Sequence, residues 1–340
     1  MPAHAHELNP LIVNKILRFQ KEPLLRDEIM AYEPKDGYLN EFLFFIKPEI
    51  TRCGERTLIE TLTLIFNTMN KHHAVISGIA VLGARYLEQY DLMSRHYGVI
   101  NAIAREGKSA LSDKARAEFT AIYGKDITQT CVFGGFEFLQ KYDYFNEQSL
   151  NVLWEAQSNQ KLASGTYCQK VKIFEEEIFL LNGFHPYQLF HYTRQGASIV
   201  VFNLQSSTDW KILRRDMIGE TDPHKANAGS IRRVLLERKN EWDIPEINQG
   251  NNGVHLSAGP VEALAETIRF SSDHAANQEL AIGSTAVGRS MLQKGIPERD
   301  IGNFLQNSSV HTDGRTVKVF DLTEEMNTNE CVNILLKLCG

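Results

Sequence analysis

The residues best suited to do chemistry gather around His255. It lies in Asn251-Asn252-Gly253-Val254-His255-Leu256-Ser257. Upstream stand Arg215-Asp216-Met217-Ile218-Gly219-Glu220-Thr221-Asp222-Pro223 and Ala228-Gly229-Ser230-Ile231-Arg232, and an earlier apolar run ends in Lys47-Pro48. One histidine, two arginines, a lysine, a threonine and an asparagine are what phosphoryl transfer through a histidine nucleophile needs. Neutral imidazole attacks a γ-phosphorus, and cationic and hydroxyl groups hold the phosphate oxygens. The attacking nitrogen must be unprotonated and the other must carry the proton. A carboxylate at that proton fixes the tautomer and stabilises positive charge on the phosphorylated ring. No GxxxxGK[ST] loop is present, which leaves phosphate binding to side chains rather than a backbone cradle.

These groups must be carried by regular elements, and the apolar pattern suggests which. Glu41–Lys47 reads as a buried strand ended by Pro48. Thr57–Asn70 has helical periodicity, with Leu58, Leu62, Ile65 and Met69 on one face. Val75–Leu82 reads as a strand, Ala84–Tyr97 as a helix and Ala197–Leu204 as a third strand. Residues 214–234 read as loop-rich. Gly253–Ser257 reads as a short strand, and Pro260–Phe270 as a helix with proline in its first turn. Asn14–Arg26 reads as an amphipathic helix. Without the segment between about 98 and 182, the order is strand, helix, strand, helix, strand, loop, strand, helix. That points to an α+β fold with a ferredoxin-like βαββαβ antiparallel core. The interrupting segment reads as an inserted, mostly helical subdomain. It contains a capped helix at Ser112–Tyr123, and Val171–Leu181 reads as a strand or short helix. The expected divisions are an extension at 1–38, a core at 39–97 and 183–275, the insert at 98–182 and a C-terminal extension at 276–340. The last has a helix near 285–295, a strand at Thr316–Leu322 and a helix near 329–338. A smaller insertion is expected at 236–250.

The bulk composition sets outer bounds. The 340 residues are 43% hydrophobic and 23% charged, as in ordinary soluble globular chains. The net charge of -6 argues against a broad nucleic-acid surface but leaves room for a small basic pocket. Five widely spaced cysteines show no metal-ligand spacing and read as reduced thiols, which suits a cytoplasmic location. No signal segment or membrane span is expected. His72-His73, His4 and His6 lack ligand partners at metal spacing, so no metal site is expected.

The order and wording of these pieces resemble nucleoside diphosphate kinases over about 41–97 and 183–272. Ile46-Lys47-Pro48-Glu49 resembles the family's first-strand motif, whose lysine contacts the transferring phosphate. Arg95-His96-Tyr97 resembles the end of its second helix region, with Tyr97 near the phosphates. Phe184-His185-Pro186-Tyr187-Gln188-Leu189 resembles its base-clamping helical hairpin. Phe184, His185 and Tyr187 compete for the aromatic on the base, and Leu189 joins the same contact. The resemblance puts phosphate binding on Arg215, Thr221 and Arg232 and sugar contact on Asn252. It makes His255 the phosphorylated residue, Ser257 its neighbour and Glu266 the carboxylate orienting its ring.

The resemblance implies ping-pong kinase activity on ATP and nucleoside diphosphates, with Mg²⁺ brought by the nucleotide, in a homo-oligomer. Arg214 and Arg233 are adjacent alternatives that a one-residue shift would bring in. The chain departs from the pattern after His255, where Leu256-Ser257-Ala258-Gly259 brings a bulky residue and lacks a loop-holding carboxylate. Arg233-Val234 lacks that carboxylate's usual partner. The alternative expectation is therefore a nucleotide-binding regulatory module with little turnover.

Overall fold

The structure, a computed structural model, describes residues 3–312 and 314–339, with side chains from Glu7 onward. The side chains of His4 and His6 lie outside the described residues. The chain is an α+β protein with largely antiparallel sheets and divides into two compact units. The first joins Met1–Tyr90 to Gln195–Gly340, and the second is Asp91–Arg194.

In chain order, the first unit begins with α1 (Ala3–Lys21), β1 (Arg26–Met30) and β2 (Asn40–Ile46). Next come α2 (Glu55–Lys71), β3 (Val75–Gly83), β4 (Ser198–Ser206), α3 (Ile231–Arg238), β5 (Val254–Leu256) and α4 (Pro260–Ser271). The unit ends with α5 (Ala286–Gln293), α6 (Glu298–Leu305) and α7 (Thr328–Leu336). Its main sheet has five strands in the order β1-β3-β4-β2-β5, and each neighbouring pair is antiparallel.

Period-two alternation sorts the strand side chains onto two faces. Phe42, Phe44, Ile46, Val200, Phe202, Val254 and Leu256 join one core with α1, α2 and α3. Phe45 and His255 point the other way, toward α4. Both faces of β2 and β4 are covered, and every residue of both strands is buried. This explains their nearly unbroken apolar sequences. A separate apolar cluster of Val261, Leu264, Val287, Met291, Phe304 and Val332 fastens α5, α6 and α7 to α4.

Several boundaries differ from the sequence reading. The N-terminal helix starts at Ala3, not Asn14, and Arg26–Met30 is an edge strand on β3. The helix expected over Ala84–Tyr97 is two helices, Ala84–Gln89 and Leu92–His96, parted where Asp91 takes a left-handed φ of 51°. The expected strand Thr316–Leu322 is a strand only over Arg315–Lys318, and a helix begins at Val319. The start of the stretch read as loop-rich is a π-helix, Leu213–Ile218.

The second unit, Asp91–Arg194, extends beyond the expected 98–182 and takes in Tyr97, Phe184, His185 and Leu189. It contains a four-stranded sheet absent from the mostly helical expectation, in the order Val132–Gly134, Glu176–Leu181, Thr166–Ile173, Gln160–Ala163. Thr166–Ile173 and Glu176–Leu181 pair across a tight turn, where Phe174 has a φ of 53°. The turn lacks the Asn-Gly or Gly wording that usually marks a hairpin.

The five cysteines form no disulfide. No helix among the described residues is long and apolar enough to cross a membrane.

Candidate functional site

His255 is the middle residue of β5, directly opposite Phe45 of β2 in the antiparallel register. Their rings stack, with centroids 4.5 Å apart and planes 21° from parallel. On this face the imidazole meets α4. Nε2 lies 2.8 Å from Glu266 Oε1, with the histidine side chain 17% exposed and the glutamate 1%. The other carboxylate oxygen accepts the Ser257 hydroxyl at 2.5 Å. Glu266 thus receives two donors from the strand end. Donation of Nε2–H to the carboxylate puts the ring's lone pair on Nδ1.

Lys47 follows β2 and is buried. Its ammonium donates to Asn252 Oδ1 at 2.7 Å, and Asn252 Nδ2 donates to the Thr221 carbonyl at 3.1 Å. Burial pushes the Lys47 ammonium down to about 8. The Glu49 carboxylate opposes that shift and the Arg232 guanidinium adds to it. Glu49 also accepts the Gly253 N–H at 2.7 Å. Gly253 has a φ of +83°, and a Cβ there would meet Leu235 at 2.4 Å, so the approach to His255 requires glycine.

The arginines fall into different environments. Arg232, near the start of α3, is buried and donates to the carbonyls of Gly219 (2.9 Å) and Val254 (3.0 Å). Arg214 is 19% exposed and donates to the Leu256 carbonyl at 3.0 Å. The two guanidinium groups therefore cap the outward carbonyls on either side of His255, along the unpaired edge of β5.

Arg215 points elsewhere. It is 62% exposed and forks onto Asp216 at 3.0 and 2.7 Å. That contact, with help from Asn227, holds the Asp216 carboxyl down at about 2. The π-helix makes this division, because neighbouring residues on a turn face different ways. The arginine that reaches the His255 strand is thus Arg214, the adjacent alternative, and not Arg215. Thr221 is exposed, and its described contact with Asn252 is through its backbone.

First-unit residues brought together are thus Lys47, Asn252, Arg232, His255, Ser257 and Glu266. Tyr97, Phe184, His185 and Leu189 belong to the second unit. Within it, Tyr97 and Tyr192 hydroxyls lie 3.1 Å apart. His185 is fully buried, with its ring nitrogens at Gln188 (2.9 Å) and Asn101 (3.3 Å). Burial pushes its imidazole down to about 4, against the Gln188 hydrogen bond. Phe184 packs on Trp154 and Tyr167, and Leu189 is buried.

Three contributors escaped the sequence reading. Phe45 as the ring's stacking partner needed the strand register. Glu49 as acceptor for Gly253 needed the turn after β2. Glu262 had a visible signal: it lies one helical turn before Glu266, and two carboxylates on one helix face invite a shifted titration.

No protein-family model matches the chain, and no curated protein matches it.

Proposed function

We propose that the chain is a phosphotransferase of the nucleoside diphosphate kinase type, working through a phosphohistidine at His255. The single observation that carries this reading is Glu266, which holds His255 Nε2 and the Ser257 hydroxyl at once. That bridge sets the tautomer a nitrogen nucleophile needs. The sheet order β3-β4-β2-β5, with α2 and α3 on one face, supports a ferredoxin-like core for the same assignment.

In the first half-reaction Nδ1 of His255 attacks the γ-phosphorus of ATP. An N–P bond forms, the bridging P–O bond breaks, and its electron pair leaves with ADP. In the second, a terminal oxygen of a nucleoside diphosphate attacks the same phosphorus, and the N–P electron pair returns to Nδ1. Glu266 stabilises the positive charge that the phosphorylated ring carries, and Lys47 and Arg232 offset negative charge on the phosphate oxygens. Thr221 and Asn252 are the proposed hydroxyl and amide contacts to nucleotide.

Beside Lys47 and Arg232 stand the Asn252 amide and one carboxylate, Glu49, which already accepts the Gly253 N–H, and Glu266 is engaged by His255 and Ser257. These side chains suit phosphate better than a bare cation. Mg²⁺ would be carried by the triphosphate, whose charge it neutralises. A homo-oligomer belongs to the same reading. It would form away from the β3 edge, which β1 covers.

The exposed Arg215–Asp216 pair favours a second reading, a nucleotide-binding module with little turnover. A chase separates the two. Protein labelled with γ-labelled ATP is mixed with GDP. Rapid transfer of label into GTP, lost in His255→Ala, supports the kinase. ATP binding with no acid-labile label supports the module and overturns the enzyme.

A further inference from the structure

The turn after His255 is held at every backbone polar group from the Leu256 carbonyl to the Ala258 carbonyl. The Leu256 carbonyl takes Arg214 at 3.0 Å. The Ser257 N–H donates to the Leu43 carbonyl at 3.0 Å, and the Ser257 carbonyl accepts Trp210 Nε1 at 3.3 Å. The Ala258 N–H donates to Glu262 Oε2 at 2.9 Å, and its carbonyl accepts the Glu325 N–H at 2.8 Å. The C-terminal segment also presses on Gly259, where a Cβ would meet the Thr323 carbonyl at 2.4 Å. Of these partners, Glu262 alone shares a helix with the residue that holds the imidazole. It stands one turn before Glu266 on α4.

We propose that Glu262 is a positioning residue that ties the turn after His255 to α4, keeping Glu266 and Ser257 in register with the imidazole. The inference rests on His255 being the reactive group. Glu262 is partly buried and bonds the Ala258 N–H, so it acts through Ala258 and through its charge. The charged groups facing it are Glu266 on its own helix, Arg214 on the π-helix and Glu324 on the C-terminal segment. Burial and the Glu266 charge push its carboxyl up to about 8, against the Ala258 N–H and Arg214. Below that pH a neutral Glu262 spares Glu266 a second negative charge one turn away. Above it, the two carboxylates repel across one turn of α4 while the Ala258 N–H bond to Glu262 strengthens, so the field on Glu266 and the imidazole changes.

The test uses the full chain with ¹⁵N-labelled histidine, the His255 resonances being assigned with His255→Gln. Ring shifts are followed from about pH 6 to 10 in wild type, Glu262→Gln and Glu262→Ala. Glutamine still accepts the Ala258 N–H but does not ionise. The wild-type curve should therefore contain a step near pH 8 that the glutamine variant lacks. Any step from Lys47 appears in both curves and cancels in their difference. Glu262→Ala should show mixed ring tautomers and take label from ATP roughly tenfold more slowly, the scale of one lost hydrogen bond. Coincident curves for all three proteins, with the wild-type tautomer intact in Glu262→Ala, overturn the proposal. Shift differences as expected in a protein that never takes label would uphold the positioning role and remove the kinase reading instead.

Discussion

Replacing Glu266 by glutamine keeps the side chain's shape and removes its charge. The carboxylate is buried and accepts two hydrogen bonds, from His255 at 2.8 Å and Ser257 at 2.5 Å. An amide can accept only one of them. With its oxygen on His255, its NH₂ faces Ser257, whose hydroxyl turns to the Leu43 carbonyl already 3.2 Å away. The ring tautomer survives, but the charge that stabilises a phosphorylated imidazole is gone. A hydrogen bond to a charged group contributes about 1.5–3 kcal/mol, roughly twice a neutral one. Full burial leaves little solvent screening to reduce that figure. About 1.4–2.8 kcal/mol of it lost in the transition state slows His255 phosphorylation about 10- to 100-fold. The assay is the initial rate of acid-labile labelling from γ-labelled ATP in a rapid-quench mixer, with circular dichroism to show that the fold is kept. A rate within about threefold of wild type would refute the reasoning, because the loss would then be below 1 kcal/mol.

Other consequences follow from the same geometry. Lys47 has a folded-state pKa of about 8 against an ordinary 10.5. The unfolded chain therefore binds more protons between those values, and stability should rise with pH across that window. Lys47→Met should flatten that slope in denaturant titrations, and ATP binding by wild type should weaken as pH passes 8. Arg232→Ala strips two buried carbonyls of their donors and should destabilise by about 3 kcal/mol, whereas Arg215→Ala should leave the thermal midpoint unchanged. Equal midpoints for the two variants would contradict the placement of these arginines. Glu41 is buried, accepts Tyr32 Oη at 2.5 Å and the Val287 N–H at 3.0 Å, and has its carboxyl raised chiefly by burial. Its stabilising contribution is full below the ordinary carboxylate range and is lost as pH rises through its raised pKa. Glu41→Gln should remove that pH dependence from the thermal midpoint measured by calorimetry.

The main strands were legible because their burial is written into their composition. The runs Asn40–Ile46 and Ser198–Ser206 are covered on both faces and carry long apolar stretches, Phe42–Ile46 and Ile199–Phe202. The Glu266 partner of His255 was legible only through the family resemblance, whose alignment runs without a gap from strand through turn to helix. Arg214 and Arg215 were not separable. Nothing local tells a loop from a π-turn, and that choice decides which guanidinium turns inward. Phe45 is far from His255 in sequence, and only the β2–β5 register pairs them. The sheet in the second unit was hidden by strands of alternating charge and a turn built on Phe174 and Glu175. The N-terminal strand was missed because β1 is short and mostly polar, and takes its structure from the β3 edge it covers.

The most direct measurement of the central claim is where the phosphoryl group goes. Protein incubated with ATP and Mg²⁺ would be kept at alkaline pH and examined by ³¹P NMR and by tandem mass spectrometry of its peptides. One phosphoramidate signal, on His255 and attached at Nδ1, is the predicted result. A phosphoryl group on any other residue, or an unmodified His255 in protein that binds ATP, would contradict it.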